Sequence, residues 1–217
     1  REAKESDIEA ISEIALLSMS LDPAWTYRYQ FAKIYPIEHK ENTRNRYDKY
    51  LADQREGRFC IVVAELLLHI KDETITKVIA FAIWQLPRTL LKAIDEAKPN
   101  IIEPTSDYLD RKDVSPARMK AFRAYRKVKL HWFDEKYGEK QWSLMTLATH
   151  PDYGRGGVGT ALCYWAIQRA ISDKIEAVTL FASPLGKLLY TKLKFIVVGI
   201  VRIQVEGEEE FVDLPGM

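Results

Sequence analysis

The spacing of apolar residues along the chain changes repeatedly between the period of a helix and that of a strand. Residues 8–19 place apolar side chains on one helical face, directly after a capping-box pattern at residues 6–9. Asp22 and Pro23 end this predicted helix, and residues 36–55 predict a second helix that is mostly polar. The N-terminal quarter of the chain is therefore predicted to be mainly helical.

Strand-like patterns follow in the middle and at the end of the chain. Residues 59–68 and 77–85 are apolar runs on either side of a polar turn at residues 71–74, which predicts a β-hairpin. Residues 144–149 alternate in the manner of a buried strand, and a stretch with helical spacing comes after them. The remaining predicted strands cover residues 177–181, 195–205 and 210–212.

A long stretch at approximately residues 87–140 separates the hairpin from the strand at residues 144–149. It contains several prolines and a basic amphipathic helix predicted over residues 116–137, whose basic face we expect to be solvated. The predicted fold class is α/β, with a mixed central β-sheet flanked by helices and this helical insertion between the hairpin and the central strand. We expect residues 1–217 to form a single domain.

Four glycines lie between the central strand and the helix that follows it: Gly154, Gly156, Gly157 and Gly159. Glycines allow backbone N–H groups to approach a ligand closely, and a helix start adds unpaired donors and a partial positive charge. This turn therefore predicts a binding site for a phosphate or a pyrophosphate.

Two well-known phosphate motifs do not fit this turn. Residues 154–159 match G-x-G-x-x-G, but a dinucleotide site also needs an acidic residue at the end of the next strand, where Ala182 and Ser183 stand. Fewer than 60 residues follow Gly159, too few to complete that fold. The Walker P-loop requires a lysine, whereas Thr160 directly follows Gly159.

The turn resembles the acetyl-CoA-binding segment of the GCN5-related N-acetyltransferase (GNAT) family, Gln/Arg-x-x-Gly-x-Gly/Ala. Gly157, Val158 and Gly159 supply its Gly-x-Gly. Gly154 stands at the Gln/Arg position, and Arg155 comes one place later, where it could still supply the charge. Residues 147–153 are similar to the strand and Pro-x-Tyr lead-in of that family.

A second segment, residues 180–195, resembles the family's later motif, in which a strand, a short helix and a Leu-Tyr pair lead into Gly-Phe. Lys194 stands where the glycine is usual. The resemblance covers residues 141–203, is looser over the first eighty-odd residues, and says little about residues 87–140.

The resemblance implies an acetyl-CoA site on the central strand, the glycine turn and the later motif. The thioester carbonyl would receive a backbone hydrogen bond near Leu147 or Thr149, and Tyr190 would act as general acid at the sulfur, unless it is an ordinary core tyrosine. Ser183 could bind the pantetheine arm, cap the next helix, or do both. The implied coenzyme-binding residues are Leu147, Ala148, Thr149, Gly154, Arg155, Gly156, Gly157, Val158, Gly159, Thr160, Ser183 and Tyr190.

The general base stays open at this point. Glu65 lies among apolar neighbours of the hairpin, where burial would raise its pKa toward a catalytic range. His150 titrates near neutrality but could simply cap the end of the central strand. Water could also relay the proton without a positioned side chain.

The aromatic segment after the first helix has two interpretations. Trp25, Tyr27, Tyr29, Phe31 and Tyr35 could form a flap packed on the core or an aromatic wall of the acceptor site. The second interpretation favours a compact, partly apolar acceptor.

Composition narrows the function further. The 32 Lys and Arg against 31 Asp and Glu give no electrostatic case for nucleic acid or an anionic membrane. Cys60 and Cys163, the two cysteines, are expected to be buried thiols, which fits a cytoplasmic location and a site without metal.

The predicted function is a cytoplasmic N-acetyltransferase that uses acetyl-CoA and a small amine or peptide amine, and that could form a homodimer. The alternatives are a CoA-binding GNAT-like domain without turnover and a dinucleotide-binding protein.

Overall fold

The computed structural model describes residues 1–70, 73–87, 108–138 and 140–217. Residues 71–72 of the predicted turn at 71–74 and residues 88–107 of the predicted insertion lie outside these ranges, and residues 73–74 of that turn belong to a strand. The helices are α1 (Ile8–Met19), α2 (Pro23–Arg28), α3 (Pro36–Arg55), α4 (Pro116–Arg123), α5 (Tyr125–Lys129), α6 (Glu135–Tyr137), α7 (Val158–Ser172) and α8 (Lys187–Lys192). The strands are β1 (Phe59–Ile70), β2 (Glu73–Gln85), β3 (Gln141–Thr149), β4 (Ala177–Leu180), β5 (Gly199–Gln204) and β6 (Phe211–Gly216).

The predicted N-terminal helices form where the sequence pattern placed them. The Asp7 carboxylate accepts a hydrogen bond of 2.7 Å from the Lys4 N–H group and closes the turn that leads into α1. The apolar face of α1 is buried, and it packs with Tyr47 and Leu51 of α3 against the sheet. Predicted residues 36–55 coincide with α3.

The central sheet is mixed and has the order β1-β2-β3-β4. The first three strands pair in antiparallel fashion, whereas β3 and β4 are parallel and are joined by α7. A second pair, β5 and β6, continues from the other edge of β4, because Leu180 and Met217 exchange two backbone hydrogen bonds of 2.9 Å. The predicted α/β class with a mixed central sheet is confirmed.

Helices cover both faces of this sheet. The face of Ile61, Val63 and Phe81 lies against α1 and α3, whereas that of Val62 and Ala82 lies against α7. Cys60 and Cys163 are both buried free thiols on the α7 side, and burial raises the pKa of each to about 12. The prediction of two buried thiols is confirmed.

The predicted insertion helix is broken into short pieces. After α4 and α5, a π-helical turn at Leu130–Asp134 interrupts the α-helical pattern before α6. The turn brings Trp132 against the backbone of β5 and β6, where a Cβ on Gly199 would lie only 2.6 Å from its ring. A larger residue than glycine has no space there, so Gly199 allows Trp132 of the insertion to pack closely against β5.

The expected solvated basic face of the insertion is wrong for Arg118. This side chain is buried and pairs with Glu208 at 2.7 Å and Glu210 at 2.6 Å in the β5–β6 turn. The acidic turn therefore neutralises part of the basic face. Among the described residues, no helix is both long enough and apolar enough to cross a membrane.

Candidate functional site

A gap opens in the sheet beside the central strand. Strand β4 pairs with β3 only as far as Leu144 and Leu180. Met145 is an extra residue in the pairing of β3 with β2, and such a bulge bends a strand away from its neighbour. Within the described chain, residues 145–149 of β3 therefore pair with a strand on one side only.

The glycine turn lies at the end of this gap. After a short 3₁₀ turn at Pro151–Tyr153, the backbone takes a positive φ at Arg155 (63°) and at Gly157 (81°) and then enters α7. Positive φ is favourable for glycine, which explains the residue type at position 157. Gly154, Arg155, Gly156 and Gly157 are all exposed.

The start of α7 offers several backbone donors to a ligand. The helix ladder begins with the hydrogen bond of 2.9 Å from the Ala161 N–H group to the Gly157 carbonyl. The N–H groups of Val158, Gly159 and Thr160 precede that bond, and no side chain caps them. Together with the helix dipole, these donors give the start of α7 the features that a phosphate site requires.

A cavity of about 670 Å³ adjoins the gap and the start of α7. Arg46 and Tyr50 reach it from α3 on one face of the sheet, whereas Gly159 and Leu189 reach it from α7 and α8 on the other face. The cavity therefore passes from one face to the other beside residues 145–149. Its wall also contains Asp22, Trp25, Arg28, Tyr29, Arg111, Phe122, Leu147, Thr149, Phe181, Ser183, Gly186 and Tyr190.

Tyr190 is buried in the wall of this cavity, on α8. Burial raises the pKa of its hydroxyl well above the usual value, and the neighbouring Cys163 and Asp22 raise it further. Its ring lies so close to Gly186 that a Cβ there would come within 2.7 Å of Tyr190 Cε2. The tyrosine is thus a tightly packed side chain that also lines the cavity.

The other residues predicted to bind the coenzyme divide between the cavity and its surroundings. Leu147, Thr149 and Ser183 line the cavity, whereas Ala148 packs into the core on the α1 and α3 side. The Ser183 hydroxyl accepts a hydrogen bond of 3.3 Å from the Gly186 N–H group in the turn that precedes α8. The predicted capping of the helix itself is wrong, because α8 begins at Lys187 and has no side-chain cap.

The predicted burial of Glu65 is wrong. Its carboxylate is exposed, pairs with Arg1 at 2.5 Å, and lies outside the cavity wall. The far end of the hairpin extends beyond the helices that cover its base, as the 61% exposure of Leu67 shows. An apolar strand pattern alone did not reveal where this cover ends.

His150 has the capping role that the sequence analysis left open. Its Nδ1 atom accepts a hydrogen bond of 3.3 Å from the Asp152 N–H group, and the backbone N–H group of His150 donates to the Ile79 carbonyl at 2.8 Å. The imidazole lies outside the cavity wall.

The aromatic segment divides between the cavity wall, the core and the surface. Trp25 and Tyr29 are buried in the cavity wall, and Tyr27 packs in the core against β5 and β6. Phe31 and Tyr35 are exposed and lie outside that wall.

The cavity wall also holds charged residues that the sequence did not single out for the site, among them Asp22, Arg28 and Arg46. Asp22 was interpreted as a helix breaker, whereas its carboxylate also caps α2 by accepting from the Ala24 N–H group at 2.8 Å. Arg46 lies in a helix whose charges predict a solvated face, and Arg28 lies in α2, a short helix that the sequence pattern did not predict. Only the tertiary packing of α2 and α3 against the gap turns them inward.

Comparison with known proteins gives one family match. Residues 105–193 match the Acetyltransferase (GNAT) family. No curated protein matches the chain in sequence.

Several solved structures share the fold over the whole chain. They include histone acetyltransferase HPA2 and related acetyltransferase from Corynebacterium glutamicum (18% identity, 92% of that chain, TM-score 0.54) and a putative acetyltransferase of the GNAT family from Desulfovibrio desulfuricans (9%, 96%, 0.53). Arabidopsis thaliana NAA60 in complex with acetyl-CoA is a third (16%, 96%, 0.50). Each covers 100% of the present chain. The GNAT resemblance is confirmed, both in the matched segment and in the fold.

Proposed function

Because residues 105–193 match the GNAT family and the whole chain has that fold, we propose that the protein transfers an acetyl group from acetyl-CoA to an amine of a small molecule or peptide. One observation carries the proposal. The gap beside β3 joins an anion-binding helix start to a cavity that reaches the opposite face of the sheet. A thioester placed in that gap is accessible to an amine from the other side.

The coenzyme would bind through backbone groups first. The free N–H groups of Val158, Gly159 and Thr160 suit a pyrophosphate, and the exposed guanidinium of Arg155 adds positive charge beside them. The pantetheine arm would then pass along the open edge of β3. Leu147, Thr149 and Ser183 face the cavity along this route, whereas Ala148 would contribute its backbone only.

The proposed reaction is direct attack of the neutral amine on the thioester carbonyl. A backbone N–H group of β3 near Leu147 or Thr149 would polarise that carbonyl, and the C–N bond forms as the C–S bond breaks. Tyr190 would donate its proton to the leaving sulfur, because its raised pKa keeps the hydroxyl protonated at neutral pH. The tyrosine would then recover a proton from solvent.

Asp22 is the carboxylate that we propose for the proton of the amine, in place of Glu65. It lies in the cavity wall and close enough to Tyr190 to affect its pKa. The other carboxylate of the described wall, Asp53, is already paired with Arg58. Asp22 could accept the proton directly or through water.

A Tyr190→Phe substitution tests the catalytic assignment. We expect thiol release from acetyl-CoA in the presence of a reactive amine to fall about 100- to 1,000-fold in kcat, since a general acid is removed. The affinity for acetyl-CoA should change little, because the ring and its packing remain. The measurement is a thiol-detection assay on a panel of amines, with calorimetry of acetyl-CoA binding.

Tyr164→Phe is the matched control, because Tyr164 is an exposed tyrosine on α7 outside the cavity wall. It should behave like the parent protein. Equal turnover in Tyr190→Phe would remove the tyrosine from the mechanism. Tight acetyl-CoA binding without thiol release for any amine would instead indicate a CoA-binding domain without turnover.

A further inference from the structure

We propose that the acceptor carries an oxyanion, either a carboxylate or a phosphate, in addition to its amine, and that Arg28 and Arg46 bind this oxyanion in the cavity. This inference rests on the proposed acetyltransfer and specifies its substrate class.

Arg28 is held in the cavity wall by aromatic rings. Its Cζ atom lies 4.1 Å from the ring centre of Phe122 and 5.3 Å from those of Trp25 and Tyr29. Its Nε group donates to the Ala24 carbonyl at 3.0 Å, which fixes the direction of the side chain. Burial lowers the pKa of this guanidinium, as expected for a cation withdrawn from water.

Arg46 approaches the same aromatic cluster from α3. Its Nη1 group donates to the Tyr29 hydroxyl at 3.2 Å, and its Cζ atom lies 5.9 Å from the ring centres of Trp25 and Tyr50. Both arginines therefore border the ring of Trp25. Two guanidinium groups are thus directed at one part of the cavity.

These two arginines differ from a third in the same wall. Arg111 forms a two-pronged ion pair with Asp113, at 2.9 and 2.6 Å. Across the described ranges, neither Arg28 nor Arg46 forms an ion pair with a carboxylate. Stacking on rings satisfies the faces of a guanidinium but leaves most of its N–H donors unused. A guanidinium that is withdrawn from water and has unused N–H donors favours an oxyanion with two or three acceptor oxygens.

The position of the arginines assigns them to the acceptor and not to the coenzyme. They belong to α2 and α3, and α3 covers the face of the sheet opposite to α7, whose start is the proposed phosphate site. Asp22 caps the first turn of α2, Arg28 ends the same helix, and both line the cavity together with Tyr190. The helix rise separates these two Cα atoms by about 9 Å. An acceptor that places its amine near Asp22 and its oxyanion near Arg28 is therefore a compact molecule.

Matched pairs of amines test the inference in a thiol-release assay at saturating acetyl-CoA. Phenylalanine is compared with phenethylamine for the carboxylate, and 2-aminoethyl phosphate with ethanolamine for the phosphate. We expect one acid-bearing member to exceed its neutral partner at least about tenfold in kcat/KM, since a charged hydrogen-bond pair is lost in the neutral one. The pair that shows this preference identifies the oxyanion.

Arg28→Gln and Arg46→Gln then connect the preference to the two side chains. Each should lower kcat/KM about 10- to 100-fold for the acid-bearing amine, mainly through KM, and leave the neutral partner within about twofold. Arg44→Gln is the matched control, because Arg44 lies on the same helix as Arg46 but is bound to Glu9 outside the cavity wall. It should retain the preference, and thermal melting confirms that each variant is folded.

If no probe is acetylated, calorimetry with 3-phenylpropanoate and with inorganic phosphate decides the question. Binding of either anion that Arg46→Gln abolishes and Arg44→Gln retains supports the inference, and absence of binding of both overturns it. Equal turnover of acidic and neutral amines, or loss of acetyl-CoA affinity in Arg46→Gln, also overturns it. Failure of the parent protein to bind acetyl-CoA contradicts the proposed acetyltransfer instead, because anion binding by the arginines is measured separately.

Discussion

At the scale of single residues, Asp113 is the most deeply buried charged side chain among the described residues, and it binds two partners. It is 0% exposed, and its carboxylate contacts His39 Nδ1 at 2.6 Å as well as the guanidinium of Arg111. Burial alone would raise the pKa of Asp113, but the hydrogen bonds from His39 and Arg111 outweigh it and lower this pKa to about 2. The aspartate therefore joins α3 to the segment that precedes α4 and holds Arg111 in the cavity wall.

Replacing this carboxylate should cost stability in a pH-dependent way. A pKa that is lower in the folded state stabilises the protein above the ordinary value of 3.8, and this contribution disappears as the pH falls toward about 2. We expect Asp113→Asn to lower the free energy of unfolding by about 3 kcal/mol at pH 7, because it leaves buried partners unpaired. The difference from the parent protein should shrink by about 2 kcal/mol between pH 4 and pH 2.

Urea unfolding at a series of pH values measures this difference. Asp110→Asn is the control, since Asp110 is an exposed neighbour of the same residue type. A constant difference between Asp113→Asn and the parent protein across pH 2 to 7 would contradict the assignment.

Contacts between residues that are far apart in the sequence, and the cover over individual side chains, could not be predicted. The pairing of His39 with Asp113 spans 74 positions, and no local pattern indicates it. Glu65 looked buried because its neighbours are apolar, yet it lies where the hairpin has no cover. The residues of the glycine turn could be predicted, since their chemistry depends on the backbone within a few positions.

At the scale of elements, α8 ends in a motif that normally uses glycine. The Phe195 N–H group donates to the Tyr190 carbonyl at 3.0 Å and the Lys194 N–H group to that of Thr191 at 3.0 Å, which is a Schellman motif. Lys194 takes the left-handed position with φ 68°. Lys194 therefore preserves the backbone shape of the family motif, although glycine is the usual residue at that position. The same hydrogen bonds fix the direction in which the chain leaves α8.

A Lys194→Gly substitution should stabilise the protein. The left-handed conformation costs a side-chain-bearing residue about 1 kcal/mol, so we expect a gain of about 0.5–1 kcal/mol in the free energy of unfolding. Lys192→Gly, within the last turn of the same helix, should bring no gain. Urea unfolding of the three proteins measures both effects, and equal or lower stability of Lys194→Gly would contradict the explanation.

The sequence predicts the elements that depend on local pattern better than those that depend on tertiary contacts. The long helices α1 and α3, the hairpin and the βαβ unit around α7 follow from periodicity and capping. The insertion helix was predicted as one piece, whereas a π-helical turn interrupts it, and Trp132 of that turn packs against β5 and β6. Local periodicity does not indicate such distant contacts. The same holds for the gap in the sheet, which depends on the extra residue Met145 and on the pairing of β4 with β6.

At the scale of the whole molecule, the gap organises the function. The N-terminal helices supply an aromatic and cationic wall on one face, and α7 supplies an anion-binding helix start on the other. The dinucleotide alternative would need a sheet of parallel strands, whereas β3 and β4 form the one parallel pair among the described strands. The fold therefore supports a coenzyme that passes through the sheet edge and meets an acceptor beyond it.

The most direct test of this account is calorimetric titration with acetyl-CoA, with CoA and NAD as comparators, on the parent protein and on Gly157→Glu. We expect binding of both CoA species, no binding of NAD, and a loss of at least about tenfold in affinity in the variant, because a side chain and a negative charge enter the phosphate site.

Gly207→Glu is the matched control for this titration. Gly207 has a similar positive φ of 84°, and nothing lies within 4 Å of a Cβ at either glycine, but it belongs to the β5–β6 turn. It should bind acetyl-CoA like the parent protein. Absence of acetyl-CoA binding to the parent protein, or equal binding to Gly157→Glu, would contradict the central claim.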